Sequence, residues 1–230
     1  MREMTAIRSY GLLFALAFAV PATAEESNTD DEDGKIVVYG RALEVIGIAQ
    51  SGSQGTVGYA DFEDVPISRT GELVENVPGV IATQHSGSGK ANQYFLRGFN
   101  LDHGTDFAGF VDGAPTNMRT HGHGQGYLDF NFVIPETLER IDYRKGPYFA
   151  DVGDFTAAGT VAFTTADTLD PFAKVEVGAF GFLRGVAGGS AGVGSGDLMI
   201  AAEAQSYNGP WVLDEDLERF AGLIKYSAQG

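Results

Sequence analysis

The chain has 230 residues, no cysteine, and 31 acidic against 15 basic side chains for a formal charge of −16. That excess of carboxylates argues against nucleic acid and anionic lipid surfaces as partners, because binding a polyanion requires basic groups to displace its counterions. Without cysteine there are no disulfides and no thiolate metal sites, so packing and hydrogen bonds must hold the fold.

Arg2 and Arg8 precede an uncharged run from Tyr10 to Val20 and then Pro21-Ala22-Thr23-Ala24, the order of a secretory signal peptide cleaved after Ala24. The run is shorter than the roughly 20 apolar residues of a spanning helix, so removal is expected. That leaves about 206 residues, enough for one or two domains. Residues 25–33 are acidic and nearly devoid of apolar side chains, the composition of a flexible tail. Ile36-Val37-Val38-Tyr39-Gly40 follows as a β-prone run. Such a segment either adds to the sheet edge of another protein or forms the first strand of its own domain.

Residues 41–65 are glycine-rich and irregular. A helix is predicted from Thr70 to Val77, capped by Ser68 or Thr70 and ended by Pro78-Gly79. Strands are predicted over 93–97 and 106–112, with Asp112-Gly113-Ala114-Pro115 as a turn. Pro135 opens a short helix through Arg140, residues 141–144 form a strand ending at Gly146-Pro147, and 160–165 form the last strand. This is a small mixed domain over residues 41–166, with Tyr94, Phe95, Phe99, Phe107 and Phe110 as candidate core.

Beyond Pro171, segments near 172–180, 183–191, 197–207 and 219–227 alternate apolar with polar residues. In the first, Phe172, Lys174, Glu176 and Gly178 share one parity, and Ala173, Val175, Val177 and Ala179 share the other. Both a lipid-exposed barrel strand with a wet interior and an ordinary half-solvated antiparallel sheet need that alternation. Tyr207, Trp211 and Tyr226 suit a membrane interface, and Trp211 equally suits a loop.

The histidines carry the hint of ligand chemistry. His121-Gly122-His123 places two imidazoles on one side of an extended backbone, and Asp102-His103 and Asp106 lie in an upstream loop able to approach them. Imidazole with carboxylate suits Zn²⁺, Ni²⁺, Cu²⁺ or an iron complex. The interleaved glycines equally describe a mobile loop, and His85 reads as a loop residue. The sequence lacks a Gly-x-Ser-x-Gly elbow, a phosphate loop and a His-Glu-x-x-His motif, so neither enzymatic activity nor a cofactor is expected.

Four blocks occur in a set order: Leu73-Val74-Glu75-Asn76-Val77-Pro78-Gly79-Val80, Phe95-Leu96-Arg97-Gly98-Phe99, Val111-Asp112-Gly113-Ala114-Pro115 and Leu138-Glu139-Arg140-Ile141-Asp142-Tyr143-Arg144-Lys145-Gly146-Pro147. Together they resemble the plug of a TonB-dependent outer-membrane receptor. The resemblance implies an α+β, β-rich fold, a small mixed plug domain followed by the start of an antiparallel transmembrane β-barrel. It makes 1–24 a signal peptide, 25–40 a tail with a TonB box at Ile36, Val37, Val38, Tyr39 and Gly40, 41–166 the plug, and 167–230 the first barrel strands. Arg97, Gly98, Asp112, Gly113, Arg140, Lys145 and Gly146 become plug-motif residues, and Asp102, His103, His121 and His123 candidate ligand contacts. The implied partners are a TonB-type energy-transducing periplasmic protein and a small-molecule or metal-chelate ligand. One departure stands at Ala158-Gly159-Thr160-Val161, where the family has a Gly-Gly-Val-Ile-Asn-like strand.

A plugged barrel of about 22 strands, at roughly 9–11 residues each, needs far more chain than follows Ala166. Two outcomes are therefore expected: a piece of a longer outer-membrane receptor, or a chain that does not transport. The second would be a soluble periplasmic binding module or a remnant of a truncated receptor.

Overall fold

The computed structural model describes residues 47–84 and 87–228. The expected signal peptide and acidic tail, Ile36–Gly40 and His85 lie outside the described residues. Within 41–65, expected to be irregular, two strands form instead, β1 (Ile48–Ser51) and β2 (Gln54–Gly58). The remaining strands are β3 (Val80–Thr83), β4 (Gln93–Leu96), β5 (Phe99–Asn100), β6 (Phe107–Val111), β7 (Ala114–Pro115), β8 (Leu138–Lys145), β9 (Gly159–Thr165), β10 (Phe172–Val177), β11 (Leu183–Val193), β12 (Gly196–Tyr207) and β13 (Leu217–Ala228).

They assemble into a six-stranded sheet in the order β1-β2-β8-β9-β6-β7, a three-stranded sheet β3-β4-β5, and a four-stranded meander β10-β11-β12-β13. In the six-stranded sheet β6 and β9 run parallel and the other pairs antiparallel. All four residues of β1, at the open edge of that sheet, are exposed.

Neither predicted helix is an α-helix. Thr70–Asn76 is a 3-10 helix, as expected where Gly71, Thr70 and β-branched Val74 weaken α propensity. Its first turn is capped by Glu72, which accepts hydrogen bonds from the backbone N–H of Ser68 at 2.9 Å and of Arg69 at 3.3 Å. The expected Ser68 cap is reversed, since its hydroxyl donates to Glu72. The second helix is a three-residue turn, Pro135–Thr137, and the strand begins at Leu138.

The two arginine- and aspartate-containing blocks are hairpin turns. Arg97 (φ 53°) and Gly98 (φ 80°) join β4 to β5, and Asp112 (φ 48°) and Gly113 (φ 78°) join β6 to β7. Two successive positive φ values match the right-handed twist of the flanking strands, which explains the X-Gly pattern. Asp112 also accepts hydrogen bonds from the Thr165 backbone N–H at 2.8 Å and hydroxyl at 2.6 Å, tying the turn to β9. At Ala158-Gly159 the retained glycine is the one required, because a Cβ there would lie 2.5 Å from the Arg144 carbonyl oxygen.

Leu73, Val74, Tyr94, Phe107, Leu128, Phe130, Leu138, Ile141, Val161 and Phe163 form one core. Phe95 and Phe110 are half-buried. Phe99 leaves the expected core altogether, 62% exposed on the short edge strand β5.

The meander has two unlike faces. Cross-strand register places Val175, Val177, Leu183, Ile200, Phe220 and Ile224 on one side, all exposed. The opposite side carries Lys174, Glu176, Arg184, Glu203 and Arg219 and packs on the rest of the molecule through ion pairs. Among the described residues no helix is long and apolar enough to cross a membrane.

Candidate functional site

Asp102, His103 and His123 come together at the surface. Asp102 sits at φ 49°, a conformation stabilised by its backbone N–H donating to Asn100 Oδ1 at 2.8 Å and its carbonyl accepting from Tyr94 N–H at 2.8 Å. One Asp102 oxygen lies 3.7 Å from His103 Nε2 and the other 3.6 Å from His123 Nε2. Gly104 (φ 100°), which follows His103, has no room for a side chain, because a Cβ there would sit 2.4 Å from Leu128 Cβ.

His103 is buried, with Nδ1 at 3.0 Å from the Asn92 carbonyl oxygen. A carbonyl accepts only, so Nδ1 carries the proton and Nε2 presents its lone pair towards Asp102 and His123. Burial pushes the His103 pKa below its ordinary value, against the opposing pulls of the Asn92 carbonyl and Asp102.

His123 meets His103 edge-on, ring centroids 4.6 Å apart. His121 does not join them. It stacks on Tyr127 at 4.0 Å, and its Nδ1 accepts the His123 backbone N–H at 3.2 Å. Asp106 is also absent from the cluster, its carbonyl accepting the Ala158 N–H.

Three neighbours that the sequence did not single out build this site. Tyr127 is its floor, stacked under His121 and accepting the Ala91 N–H through its hydroxyl at 3.0 Å. Asn92 fixes the His103 tautomer. Asn117 anchors the histidine loop, accepting from Gly109 N–H at 2.7 Å and donating to the carbonyls of Gly104, Phe107 and Gly126 at 3.2, 3.0 and 2.8 Å. A period-two or histidine-pair pattern carries no trace of such bonds.

The remaining motif residues are structural in their geometry. Arg97 donates to the Gly52 carbonyl at 3.1 Å and Ser53 hydroxyl at 3.3 Å, and Lys145 Nζ lies 3.5 Å from the same carbonyl. The pair pins the tip between β1 and β2. Burial and the Arg97 charge push the Lys145 pKa down. Arg140 spans Glu139 and Asp142 at 3.1 and 3.0 Å on a half-exposed face, and Gly146 (φ 92°) ends β8.

A second polar centre lies where the meander meets the other sheets. The Arg184 guanidinium donates to Glu136 at 2.7 and 2.8 Å, to Glu203 at 2.5 and 2.8 Å and to Glu176 at 2.6 Å. Arg219 bonds Glu203, the Asn131 carbonyl at 2.5 Å and the Thr70 hydroxyl at 3.2 Å. Burial raises the Glu136 pKa, but the Arg184 hydrogen bonds and charge, with Lys174, outweigh it and leave the carboxyl below its ordinary range. A cleft of about 610 Å³ beside this network, lined by Arg69, Glu72, Asn131, Gln205 and Tyr207 among others, contains neither His103 nor His123. The histidine cluster lies apart from that cleft and reaches the surface through Asp102 and His123, with His103 buried.

Residues 48–160 match the family model of the TonB-dependent Receptor Plug Domain. The chain is similar to a vitamin B12 transporter, BtuB, of Vibrio vulnificus, 26% identical over 157 residues that cover 68% of this chain and 24% of the transporter. It is similar to a ferric enterobactin receptor, PirA, of Pseudomonas aeruginosa, 29% identical over 177 residues that cover 70% of this chain and 23% of the receptor. The chain therefore spans about a quarter of the length of these relatives. Among solved structures, the copper transporter OprC superposes with a TM-score of 0.54 at 19% identity, covering 70% of this chain and 25% of that one. The ferric enterobactin receptor PfeA gives 0.52 at 21% identity over 69% of this chain and 25% of that one. Both likenesses concern the fold.

Proposed function

The chain belongs to the TonB-dependent receptors through its plug domain, and from that premise we propose that it acts in energised uptake of a scarce small ligand across the outer membrane. In this reading residues 41–166 are the plug, 167–230 the first barrel strands, and Ile36–Gly40 the segment that pairs with a TonB-type periplasmic protein. Asp102, His103, His121 and His123 form the ligand-contact region, with a small molecule or metal chelate as cargo.

The observation that carries the reading is the two-faced meander. Its inner face is tied to the plug by buried charges, while its outer face exposes Val175, Val177, Leu183, Ile200, Phe220 and Ile224. Leaving six such side chains in water, 47–79% exposed, forgoes on the order of 10 kcal/mol of burial. In a bilayer the same face is at home. This supports a receptor over a soluble binding module, which would present an apolar patch without a partner.

The test is fractionation of native cells with an antibody against residues 41–166, together with binding of the transducer to wild-type and Val37→Pro chains. An outer-membrane band and loss of pairing in the proline variant, which lacks a backbone donor, are expected. A periplasmic band, or pairing unchanged by V37P, would sink the proposal.

A further inference from the structure

We propose that Asp102, His103 and His123 bind a bare divalent transition-metal ion of the Zn²⁺, Ni²⁺ or Cu²⁺ class at the plug surface. This rests on the uptake reading and names the chemistry of its ligand site. The three side chains lie close together. One donor atom from each of the three residues lies within 4.8 Å of the other two, and the two carboxylate–imidazole separations are 3.6 and 3.7 Å. A tetrahedral ion with bonds of about 2.0–2.1 Å holds its donors about 3.3 Å apart. The two short separations run to different Asp102 oxygens, so the set must contract by up to about 1.5 Å from its 4.8 Å bound, and the freedom for that lies in His123, flanked by Gly122 and Gly124, where an added Cβ would meet nothing within 4 Å.

Two of the donors are also preorganised. Metal-ligating histidines typically donate their other ring N–H to a carbonyl or carboxylate, which fixes both tautomer and ring orientation. His103 has that arrangement through Asn92, in a buried position. Asp102 is held in its turn by Asn100 and Tyr94, so two of the three donors sit on hydrogen-bonded backbone rather than on free loop.

Donor chemistry gives the class of ion. Two imidazoles and one carboxylate suit borderline cations and disfavour Ca²⁺ and Mg²⁺, which require oxygen-rich shells. Three protein donors leave coordination positions open, so a bound ion can exchange, whereas structural sites close with four. His121 is outside the set. Its stacking on Tyr127 and its bond to the His123 backbone place it as a support for the loop.

The experiment is calorimetric titration of the full 230-residue chain, chelator-stripped and in detergent, with ZnCl₂, NiCl₂ and CuCl₂ in excess MgCl₂. Wild type, Asp102→Asn, His123→Ala and the loop control Arg119→Ala are compared, each checked for an unchanged far-UV spectrum. One equivalent of Zn²⁺ should bind wild type and R119A alike, with affinity reduced by about tenfold or more in D102N and H123A. Co²⁺ should give tetrahedral d–d absorption in wild type that H123A lacks. Absence of binding to wild type, or binding by H123A and D102N equal to that of wild type, overturns the proposal. Because the titration reads no transport, its failure beside an outer-membrane band and intact transducer pairing removes the bare ion alone. Metal binding by a chain found in the periplasm removes the uptake reading alone.

Discussion

Arg184→Met tests whether the four-stranded meander is bolted to the plug. The Arg184 guanidinium faces three carboxylates, of which Glu136 and Glu203 are nearly inaccessible to water. Removing it strands those two charges, and breaking a buried pair in this way costs about 3–5 kcal/mol. Arg219 still holds Glu203 and Lys174 lies 3.4 Å from Glu136, while half-exposed Glu176 contributes little. The expected loss is therefore near the lower bound, about 3 kcal/mol. A double-mutant cycle with Glu136→Gln should return about 2 kcal/mol of that loss, because the second change removes the stranded charge. Urea unfolding of the full chain in detergent, followed by tyrosine and tryptophan fluorescence, reads both numbers. A loss under about 1 kcal/mol, or a cycle additive within about 0.5 kcal/mol, would refute the claim that these charges join the two parts.

Three further outcomes follow from the same geometry. Glu136 has its folded pKa below the ordinary 4.5, so its ion pairs stabilise fully above that value and the contribution is lost as pH falls below it through the folded pKa; E136Q should flatten the acid limb of stability against pH, and an unchanged limb contradicts the assignment. Asn117→Ala removes four hydrogen bonds that hold the histidine loop, which should cost about 2–3 kcal/mol and speed tryptic cleavage after Arg119, with stability and cleavage equal to wild type as the contrary result. Ile224→Lys lies on the outer face at 73% exposure and is nearly neutral on a wetted sheet but costs about 2–4 kcal/mol at mid-bilayer, so liposome flotation of I224K should fall, and equal flotation would mean this face does not meet lipid.

The parts legible in the sequence were those set by short-range rules. Asp112-Gly113 announces a tight turn because a two-residue hairpin demands positive φ, whereas Arg97, expected at the end of a strand over 93–97, opens the equivalent turn; the parity of Lys174 and Glu176 against Val175 and Val177 announces a two-faced strand. Residues 48–58 were missed because Gly52, Gly55 and Gly58 mask the period of two, and β2 draws its order from pairing with distant β8. The 3-10 geometry of Thr70–Asn76 was hidden for a related reason: Leu73 and Val74 are placed by core packing, which an apolar stripe cannot distinguish from an α-helix. At the site, Asp102, His103 and His123 were nameable from their donors. The separation of His121 from them depends on Tyr127, and the fixed tautomer of His103 on Asn92, contacts between segments far apart in the chain.

The position of β1 sets how the domain would respond to tension on its leading end. Gly47 enters an edge strand bonded on one side alone, whose far end from the turn carries the Ile48–Thr56 pair. A pull there loads one rung at a time, as in a zipper, with the Gly47–Asp61 bond of 2.7 Å giving way first. Resistance rises sharply at the tip, where Arg97 and Lys145 both grip Gly52. Beyond it, β2 is locked to β8 along five pairs and by the Thr56–Asp142 hydrogen bond at 2.5 Å. Unravelling from this end is thus graded, with a soft first step that frees β1 and a stiff second step that protects the core from the same force.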